Sequence, residues 1–327
     1  MQLVMGRQDL ARCRFALSPL WETVSAVRTL GEPDRQIYHR KWLERARSQV
    51  DFDLAPLKAL LPRRGYTPDF LAPPPATQAT SFANELRAVE QTPLDQVERE
   101  ITRCLKGADR QADPVSPGVA SLLLSDAKIA LQVLVDILRR CWATLVAPQW
   151  PQLRDLLAAD IGARSRQLTE GGLQRLLPDL HASILWHDGS IKAETSYTLD
   201  RSLRGQGLLM VPSAFIWPAM TVVVEPPWQP TLFYPARGVS DLWEPAPQQA
   251  LPALQQLIGR TRAEILVKLA EPNSTAALAR LFRLSPSTIS EHLTALRNAG
   301  AIRSCRVGRT VLYERTPLGV SLVRASR

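Results

Sequence analysis

The sequence has few cysteines, and they are scattered along the chain. The four lie at positions 13, 104, 141 and 305, and no two form a CxxC or CxC motif. Paired spacings of that kind are typical of disulfide frameworks and of thiolate metal sites. Their absence argues against both interpretations and in favour of reduced thiols. We expect no bound metal.

Motifs of several enzyme classes are also missing. The chain has no G-x-S-x-G, no H-E-x-x-H, no Walker A loop and no G-x-G-x-x-G after an expected strand. His181, His187 and Asp188 could be taken for a metal or acid–base cluster. They flank an expected hairpin, however, where an exposed turn aspartate with nearby strand histidines is the commoner arrangement. We therefore expect no enzyme active site and no cofactor.

Long apolar runs are almost absent. The first residues, MQLVMGRQDLARCRF, meet charged side chains before any apolar run develops, so they do not resemble a secretory signal. Residues 205–224 carry no formal charge over 20 positions, but they contain Pro212 and Pro218 and end in β-branched residues. We predict buried strands in this stretch and no membrane partner. The expected location is the cytoplasm.

Acidic residues are scarce in the last quarter of the chain. Residues 251–327 contain 12 Lys and Arg against 4 Asp and Glu, which gives +8 of the total formal charge of +9. The first 250 residues contain 28 against 27, together with all eight tryptophans. This imbalance predicts that the carboxyl-terminal part binds a polyanion and that the larger part binds something neutral or small.

The first 245 residues are expected to form one α+β, mostly helical domain. Residues 1–178 show helical spacing, with a helix starting at Pro19 and a long central helix over VASLLLSDAKIALQVLVDILRRCWATLV, in a core or at a dimer seam. From about 180 to 235 short apolar runs predict a small sheet, which begins with a hairpin at Asp188-Gly189. Residues 244–252, rich in proline, are the expected hinge.

Residues 246–327 are expected to form a second domain of short helices. The TRAE segment predicts a capping box at Thr261, and Pro272 should end that helix. Asn273-Ser274-Thr275 supplies the cap of the next helix, whose apolar face is Leu278, Leu281 and Phe282. Ser285-Pro286 then begins a third helix as its cap and first residue.

The third helix has one apolar face and one polar face. At about 100° per residue, Ile289, Leu293 and Leu296 fall on one buried stripe. The outward residues are then Ser287, Thr288, Glu291 and Thr294, with Ser290 and His292 on the flanks. A helix-turn-helix needs this division, because the second helix offers small polar side chains to base edges while its inner face packs on the first.

Two strand-like runs follow, in AIRSCRVGRTVLYERT. Gly308-Arg309 between them suits a type II′ hairpin turn. Such a ribbon beside a helix-turn-helix is a wing, which lies over the DNA backbone or the minor groove. Arg303, Arg306 and Arg309 would there neutralise phosphates.

The order of these features over residues 254–319 resembles the winged helix-turn-helix of ArsR-type bacterial regulators. The motifs are GRTRAEIL, LARLFRLSPSTISEHLTALRNAGAI and VGRTVLYERTPLG. Two departures are visible: residues 278–300 contain no cysteine, so metal sensing is not implied, and Arg283 stands where glycine is common. In the larger part, FALSPLWETV, GLLMVPSAFIWP and FYPARGVSDLWE resemble an uncharacterised domain that precedes such a DNA-binding domain in larger members.

The resemblance implies a regulator that binds double-stranded DNA. We expect a homodimer, acting as a repressor on a near-palindromic operator and controlled by a small apolar effector or a partner on residues 1–245. The expected DNA contacts are Arg283, Ser287, Thr288, Ser290, Glu291, His292, Thr294, Arg303, Arg306 and Arg309. Two alternatives stay open for the amino-terminal domain, namely a tethered enzyme and a module that only dimerises or docks another protein.

Overall fold

The computed structural model describes residues 1–32, 37–63, 65–107, 114–187, 189–193, 200–239, 242–243, 250–269, 273–307 and 310–325. The chain forms two units, Met1–Trp243 (unit 1) and Glu244–Arg327 (unit 2). Each unit has its own cluster of buried apolar side chains. The predicted hinge falls mainly on residues 244–249, which lie outside the described ones, and a helix has already begun at Ala250.

Unit 1 is mainly helical as far as residue 180. Its helices are α1 (Arg7–Ala11), α2 (Pro19–Gly31), α3 (Arg40–Gln49), α4 (Ala55–Ala59), α5 (Phe82–Glu90), α6 (Leu94–Lys106), α7 (Pro117–Ser125), α8 (Ala127–Cys141) and α9 (Trp150–Leu180). Helix α2 begins at Pro19, as predicted, because Ser18 Oγ accepts a hydrogen bond of 3.0 Å from the Trp21 amide. Short 3-10 or π turns cover Ile37–His39, Asp69–Leu71, Trp142–Val146 and Ala147–Gln149.

The prediction of one long helix through residue 126 is wrong. Asp126 has extended backbone angles, φ −152° and ψ 118°, and ends α7. Its carboxylate accepts from the amides of Lys128, at 2.8 Å, and Ile129, at 3.0 Å, and so caps α8. An aspartate side chain that satisfies the free amides of a new helix competes with continuation of the old one. Helical periodicity continues through such a break and cannot show it.

Helix α9 is also broken, at Gly172, whose φ is +64°. A buried arginine joins the two halves: Arg164 donates from NH2 to the Asp179 carbonyl at 2.8 Å, and its Nε lies 3.7 Å from the buried carboxylate of Asp160. Tyr234 OH also donates to Asp160, at 2.9 Å. This charged cluster fixes the bend against the sheet.

Two four-stranded sheets replace the one predicted for residues 180–235. Their strands are β1 (Gln2–Val4), β2 (Arg14–Phe15), β3 (Ile184–His187), β4 (Ser190–Ala193), β5 (Asp200–Ser202), β6 (Leu209–Ser213), β7 (Thr221–Val223) and β8 (Thr231–Pro235). The orders are β3-β4-β1-β5 and β2-β6-β8-β7. The two amino-terminal strands supply partners from nearly 200 residues away, as in the pairing of Leu3 with Ile191. No local pattern reveals such pairing.

The hairpin predicted between β3 and β4 is confirmed by their antiparallel pairing, with His187 opposite Ser190. Asp188 lies outside the described residues, and Gly189 has a φ of +72°. The uncharged stretch 205–224 contains β6 and β7, as expected. Among the described residues no single helix is long and apolar enough to cross a membrane. The bent pair Pro117–Ser125 and Ala127–Leu180, at 114°, passes that test only when taken together.

Unit 2 consists of five helices and a three-stranded sheet within its described residues. These are α10 (Ala250–Ile258), α11 (Arg260–Lys268), β9 (Asn273–Ser274), α12 (Thr275–Phe282), α13 (Pro286–Asn298), β10 (Ile302–Val307), β11 (Thr310–Arg315) and α14 (Pro317–Ala325). The sheet order is β10-β11-β9. Helix, turn, helix and ribbon therefore follow in the predicted order.

Three local predictions in unit 2 need comment. Thr261 is not a cap, because α11 begins one residue earlier, after Gly259 at φ +85°, and Glu264 pairs with Arg260 at 3.0 Å. The left-handed conformation of Gly259 separates α10 from α11 and sets the start of α11. The TRAE motif gives no information on this conformation. Leu281, predicted in the apolar face of α12, is 55% exposed, whereas Leu278 is buried. The predicted stop at Pro272 lies outside the described residues.

Candidate nucleic-acid interface

The turn between α12 and α13 depends on a left-handed residue. Arg283 has φ 54° and ψ 40°. The Leu284 amide donates to the Ala279 carbonyl at 3.1 Å, and the Arg283 amide donates to the Arg280 carbonyl at 3.4 Å. These two bonds form a Schellman motif, which satisfies the last carbonyls of α12. The left-handed conformation costs an arginine about 1 kcal/mol of conformational free energy relative to glycine, because the Cβ of arginine crowds the backbone.

Three hydroxyl groups meet at the start of α13. Ser285 Oγ accepts from the Thr288 amide at 3.1 Å, as expected for the cap. The same oxygen lies 2.7 Å from Ser287 Oγ and 2.9 Å from Thr288 Oγ1. Thr288, which the helical periodicity predicted on the outward face, is half-buried. Its hydroxyl is occupied in fixing the start of the helix.

Helix α13 is divided into the two faces expected from its sequence. Ile289, Leu293 and Leu296 are buried in the core of unit 2, which confirms the predicted stripe. On the opposite side four side chains are exposed and His292 is half-buried; the exposed ones are Ser287, Ser290, Glu291 and Thr294. The rigid inner face therefore presents a row of short hydrogen-bonding groups to solvent.

Cations border this row. Arg280 on α12, Arg283 in the turn and Arg297 on α13 are exposed, and no ion-pair partner for them is found in the described part of the chain. Sequence reasoning missed Arg280 and Arg297 as candidate contacts. Their positions on the outward faces of α12 and α13 were the available signal. Free guanidinium groups beside a polar helix face are suited to phosphate.

The ribbon of β10 and β11 is paired in antiparallel register from Ile302 opposite Arg315 to Val307 opposite Thr310. Arg303 is not free: its Nε lies 2.7 Å from Glu314 Oε1 on the facing strand. Of Arg306 only the backbone is described, and Arg309, with the turn at Gly308, lies outside the described residues. Their roles as phosphate contacts stay predictions.

The ribbon is tied to the helices by Arg315. Its Nε donates to the Leu266 carbonyl at 2.6 Å, and its NH2 donates to the Val267 carbonyl. Thr316 Oγ1 donates to the Gly300 carbonyl at 2.6 Å, just after α13 ends. These bonds set the position of the ribbon relative to α11 and α13.

Residues 259–304 match the family model described as bacterial regulatory protein, arsR family. Unit 2 holds an ArsR-family DNA-binding domain. Residues 94–240 match a family of unknown function (DUF5937), which lies wholly in unit 1. No curated protein and no solved structure matches the chain. With the outward face of α13, the ArsR-family match makes the chain a DNA-binding transcriptional regulator.

Two histidines of unit 1, His39 and His181, form hydrogen bonds with neighbouring residues. His181 Nδ1 lies 2.7 Å from Ser183 Oγ, and its Nε2 lies 2.9 Å from the Pro218 carbonyl. The described residues contain no group of three or more His, Cys, Asp or Glu placed to hold a metal ion. His39 is buried and bonded to the peptide of Ala214.

Proposed function

We propose that this ArsR-family regulator is a repressor that acts as a homodimer on a near-palindromic operator. Helix α13 enters the major groove and the ribbon lies along the phosphates. One such module contacts too few base pairs for genomic discrimination, and a twofold pair covers two half-sites about one helical turn apart. As a DNA-binding protein it would act in the cytoplasm.

The division of α13 carries this proposal. Three fully buried aliphatic residues fix the helix against its unit, so Ser290, Glu291 and Thr294 keep a defined orientation when they meet DNA. Serine and threonine bond either base type, and a glutamate accepts from the amino group of cytosine. Ser287, Thr288 and His292 stand closer to the start and flank of the helix and are assigned to the phosphates.

For unit 1 we propose a binding role rather than a catalytic one. Its buried titratable groups are used in structure: Glu22 accepts from the Ala214 amide at 3.0 Å, and His39 bonds the Ala214 carbonyl at 3.0 Å. A groove of about 440 Å³, lined in part by Leu10, Leu173 and Trp186, is a candidate place for the expected small apolar effector. Occupation of unit 1 would control DNA binding by favouring one arrangement of the dimer.

The test is selection of binding sites from random duplex DNA with the full-length protein, followed by titration of variants on the selected site. Glu291→Ala and Thr294→Ala should change the preference at one or two base pairs, by about 1–3 kcal/mol each. Arg306→Gln should weaken binding to all duplexes alike and reduce the salt slope by about one.

Ser304→Ala, on the same strand as Arg306, is the matched control and should change neither quantity. The proposed docking is wrong if the ribbon variant alters sequence choice and the helix variants do not. If the protein retains no duplex DNA at low salt, the proposed DNA-binding function is wrong. Sedimentation of the protein–DNA complex tests the homodimer separately.

A further inference from the structure

A second groove opens in unit 1 beside the edge strand β2. It has a volume of about 400 Å³. Its lining residues are Arg14 and Phe15 of β2, Ala76, Thr77 and Gln78 of the segment before α5, and Ser165 of α9. The segment is attached to the chain just after β2 by the Leu17 amide, which donates to the Gln78 carbonyl at 3.0 Å. The groove is thus built from three parts of the chain that are distant in sequence.

The guanidinium of Arg14 has no carboxylate partner among the described residues. Its NH2 donates to the Pro75 carbonyl at 3.0 Å and to Gln229 Oε1 at 2.7 Å, and both acceptors are neutral. Its Nε and NH1 have no acceptor in the described part of the chain. The side chain is half-buried, and this burial lowers the pKa of Arg14. A positive charge is therefore partly desolvated here without an anion to balance it, which costs free energy.

The polar groups around Arg14 are also able to donate. The hydroxyl of Ser165 is half-buried, and neither it nor the side-chain amide of Gln78 has a hydrogen-bond partner among the described residues. Both line the same groove as Arg14. By contrast, Arg164, next to Ser165 in the chain, lies 3.7 Å from the carboxylate of Asp160. The groove combines one uncompensated cation with neutral donors.

We propose that this groove binds a small oxyanion, a carboxylate or a phosphate monoester carried on a compact organic group. NH1 of Arg14, whose two hydrogens have no acceptor in the described part of the chain, holds the anion through charge-assisted hydrogen bonds. Ser165 and Gln78 donate to its remaining oxygens, and Phe15 and Ala76 contact the organic part. The volume suits a ligand of metabolite size. A regulatory role of this ligand, as a signal for the ArsR-family domain, rests on the proposed function. The binding of the ligand to the groove does not depend on that function.

The binding test is isothermal titration of the full-length protein with benzoate, phenyl phosphate and, as an uncharged match, benzamide. Wild-type protein should bind at least one of the two anions saturably and should not bind benzamide. Arg14→Gln should weaken that binding by at least about ten-fold, because charge-assisted hydrogen bonds are lost. Arg14→Lys should bind with intermediate affinity, since it keeps the positive charge but lacks the fixed donor positions of the planar guanidinium.

Arg12→Gln is the control variant. Arg12 is exposed two residues away and donates to the Gly205 carbonyl at 2.7 Å, outside the groove lining. It should bind the anion as wild type does. Melting temperatures without ligand show whether Arg14→Gln still folds, and Ser165→Ala, which deletes only one donor, gives a milder second variant that should weaken binding about three-fold or more.

Two results overturn the proposal: wild-type protein that binds neither anion, and Arg14→Gln that binds the anion as tightly as wild type. The second would show that Arg14 only attaches the segment at Pro75 to β2. DNA affinity is measured separately, with and without the bound anion. If the anion binds without any effect on DNA affinity, the anion site is confirmed and only its proposed regulatory role is wrong.

Discussion

The indole Nε1 of Trp243 donates a hydrogen bond of 2.8 Å to Nδ1 of His39, and both side chains are buried. Because an indole nitrogen can only donate, Nδ1 must be the acceptor, and the proton of His39 lies on Nε2. That nitrogen faces the Ala214 carbonyl at 3.0 Å. The His39 ring also stacks on Phe215, with centroids 4.7 Å apart. The last residue of unit 1 is thereby fixed to its core.

Trp243→Phe should lower the stability of unit 1 by more than the loss of buried apolar side-chain area explains. The substitution leaves the buried Nδ1 of His39 without its donor, which costs about 1–3 kcal/mol in addition to the packing loss. The matched control is Trp228→Phe, because Trp228 Nε1 has no partner among the described residues. Urea unfolding of both variants measures the difference. Equal losses would mean that the bond to His39 contributes nothing.

Glu22 gives unit 1 a pH-dependent stability. Complete burial raises its pKa to about 8 from an ordinary 4.5, although the Ala214 amide opposes this by donating to the carboxylate. The folded state therefore retains a proton that the unfolded chain releases. The contribution of Glu22 to stability is therefore fully present below pH 4.5 and is lost as the pH rises through the folded-state value near 8. Burial also raises the pKa of Glu85 to about 8, with the same sign.

Glu22→Gln should therefore flatten the loss of stability between pH 6.5 and 8.5, because this window lies above the ordinary histidine pKa of 6.5 and includes the pKa of about 8 of Glu22. In that range His39 stays neutral in the folded state. The slope should decrease without vanishing, since Glu85 remains. Chemical denaturation across the window measures it, and Glu98→Gln, at an exposed position, is the control. An unchanged slope in Glu22→Gln would contradict the assignment.

Local signals in the sequence were enough for much of unit 2. Ser274 and Ser285 cap their helices, and the stripe of Ile289, Leu293 and Leu296 is buried, because a cap bond and a helical period involve residues only three or four apart. The predicted face of α13 followed directly from that stripe.

Features set by distant contacts could not be predicted. Strands β1 and β2 find partners near residues 191 and 209, and the groove at Arg14 is closed by Gln78 and Ser165. The pairing of Arg303 with Glu314 also needed the register of the ribbon, which fixes which side chains face each other. The sequence showed the arginine, and only the fold showed that its charge is already shared.

Arg283 combines a structural cost with an expected phosphate contact, and two variants separate them. Arg283→Gly should raise the stability of unit 2 by about 1 kcal/mol, and Arg283→Asn by less, because both tolerate the left-handed conformation better. Both should weaken duplex binding equally and reduce the salt slope by about one, since both remove the same charge. Denaturation and fluorescence anisotropy supply the two measurements. A normal salt slope would show that Arg283 does not contact DNA.

Gly319 of α14 lies against Ala301, in the turn between α13 and β10, and a side chain does not fit there. A Cβ at this position would lie 2.0 Å from the Ala301 carbonyl oxygen, a backbone atom that cannot move aside alone. Gly319→Ala should cost about 3 kcal/mol or more of unit 2 stability, at the upper end of overpacking losses. Gly118→Ala, in a helix with nothing within 4 Å of the added carbon, should be neutral or stabilising. Similar melting of both variants would refute the contact.

The ion pair of Arg303 and Glu314 predicts a variant that binds DNA more tightly. Glu314→Gln removes a negative charge from the ribbon and frees a guanidinium now held at 2.7 Å. Duplex affinity at low salt should increase by about three- to ten-fold, and the salt slope should become steeper by up to about one, as expected for one added phosphate contact.

Glu264→Gln is the control for a general charge effect, because Glu264 pairs with Arg260 on α11 instead of on the ribbon. It changes the net charge equally and should alter affinity much less. Arg303→Gln should lower affinity only slightly, since that charge is already shared with Glu314. If Glu314→Gln and Glu264→Gln raise affinity alike, net charge explains the gain and the ribbon has no special place in binding. If Glu314→Gln weakens DNA binding, the ion pair is needed to maintain the conformation of the ribbon, and the main role of Arg303 is structural.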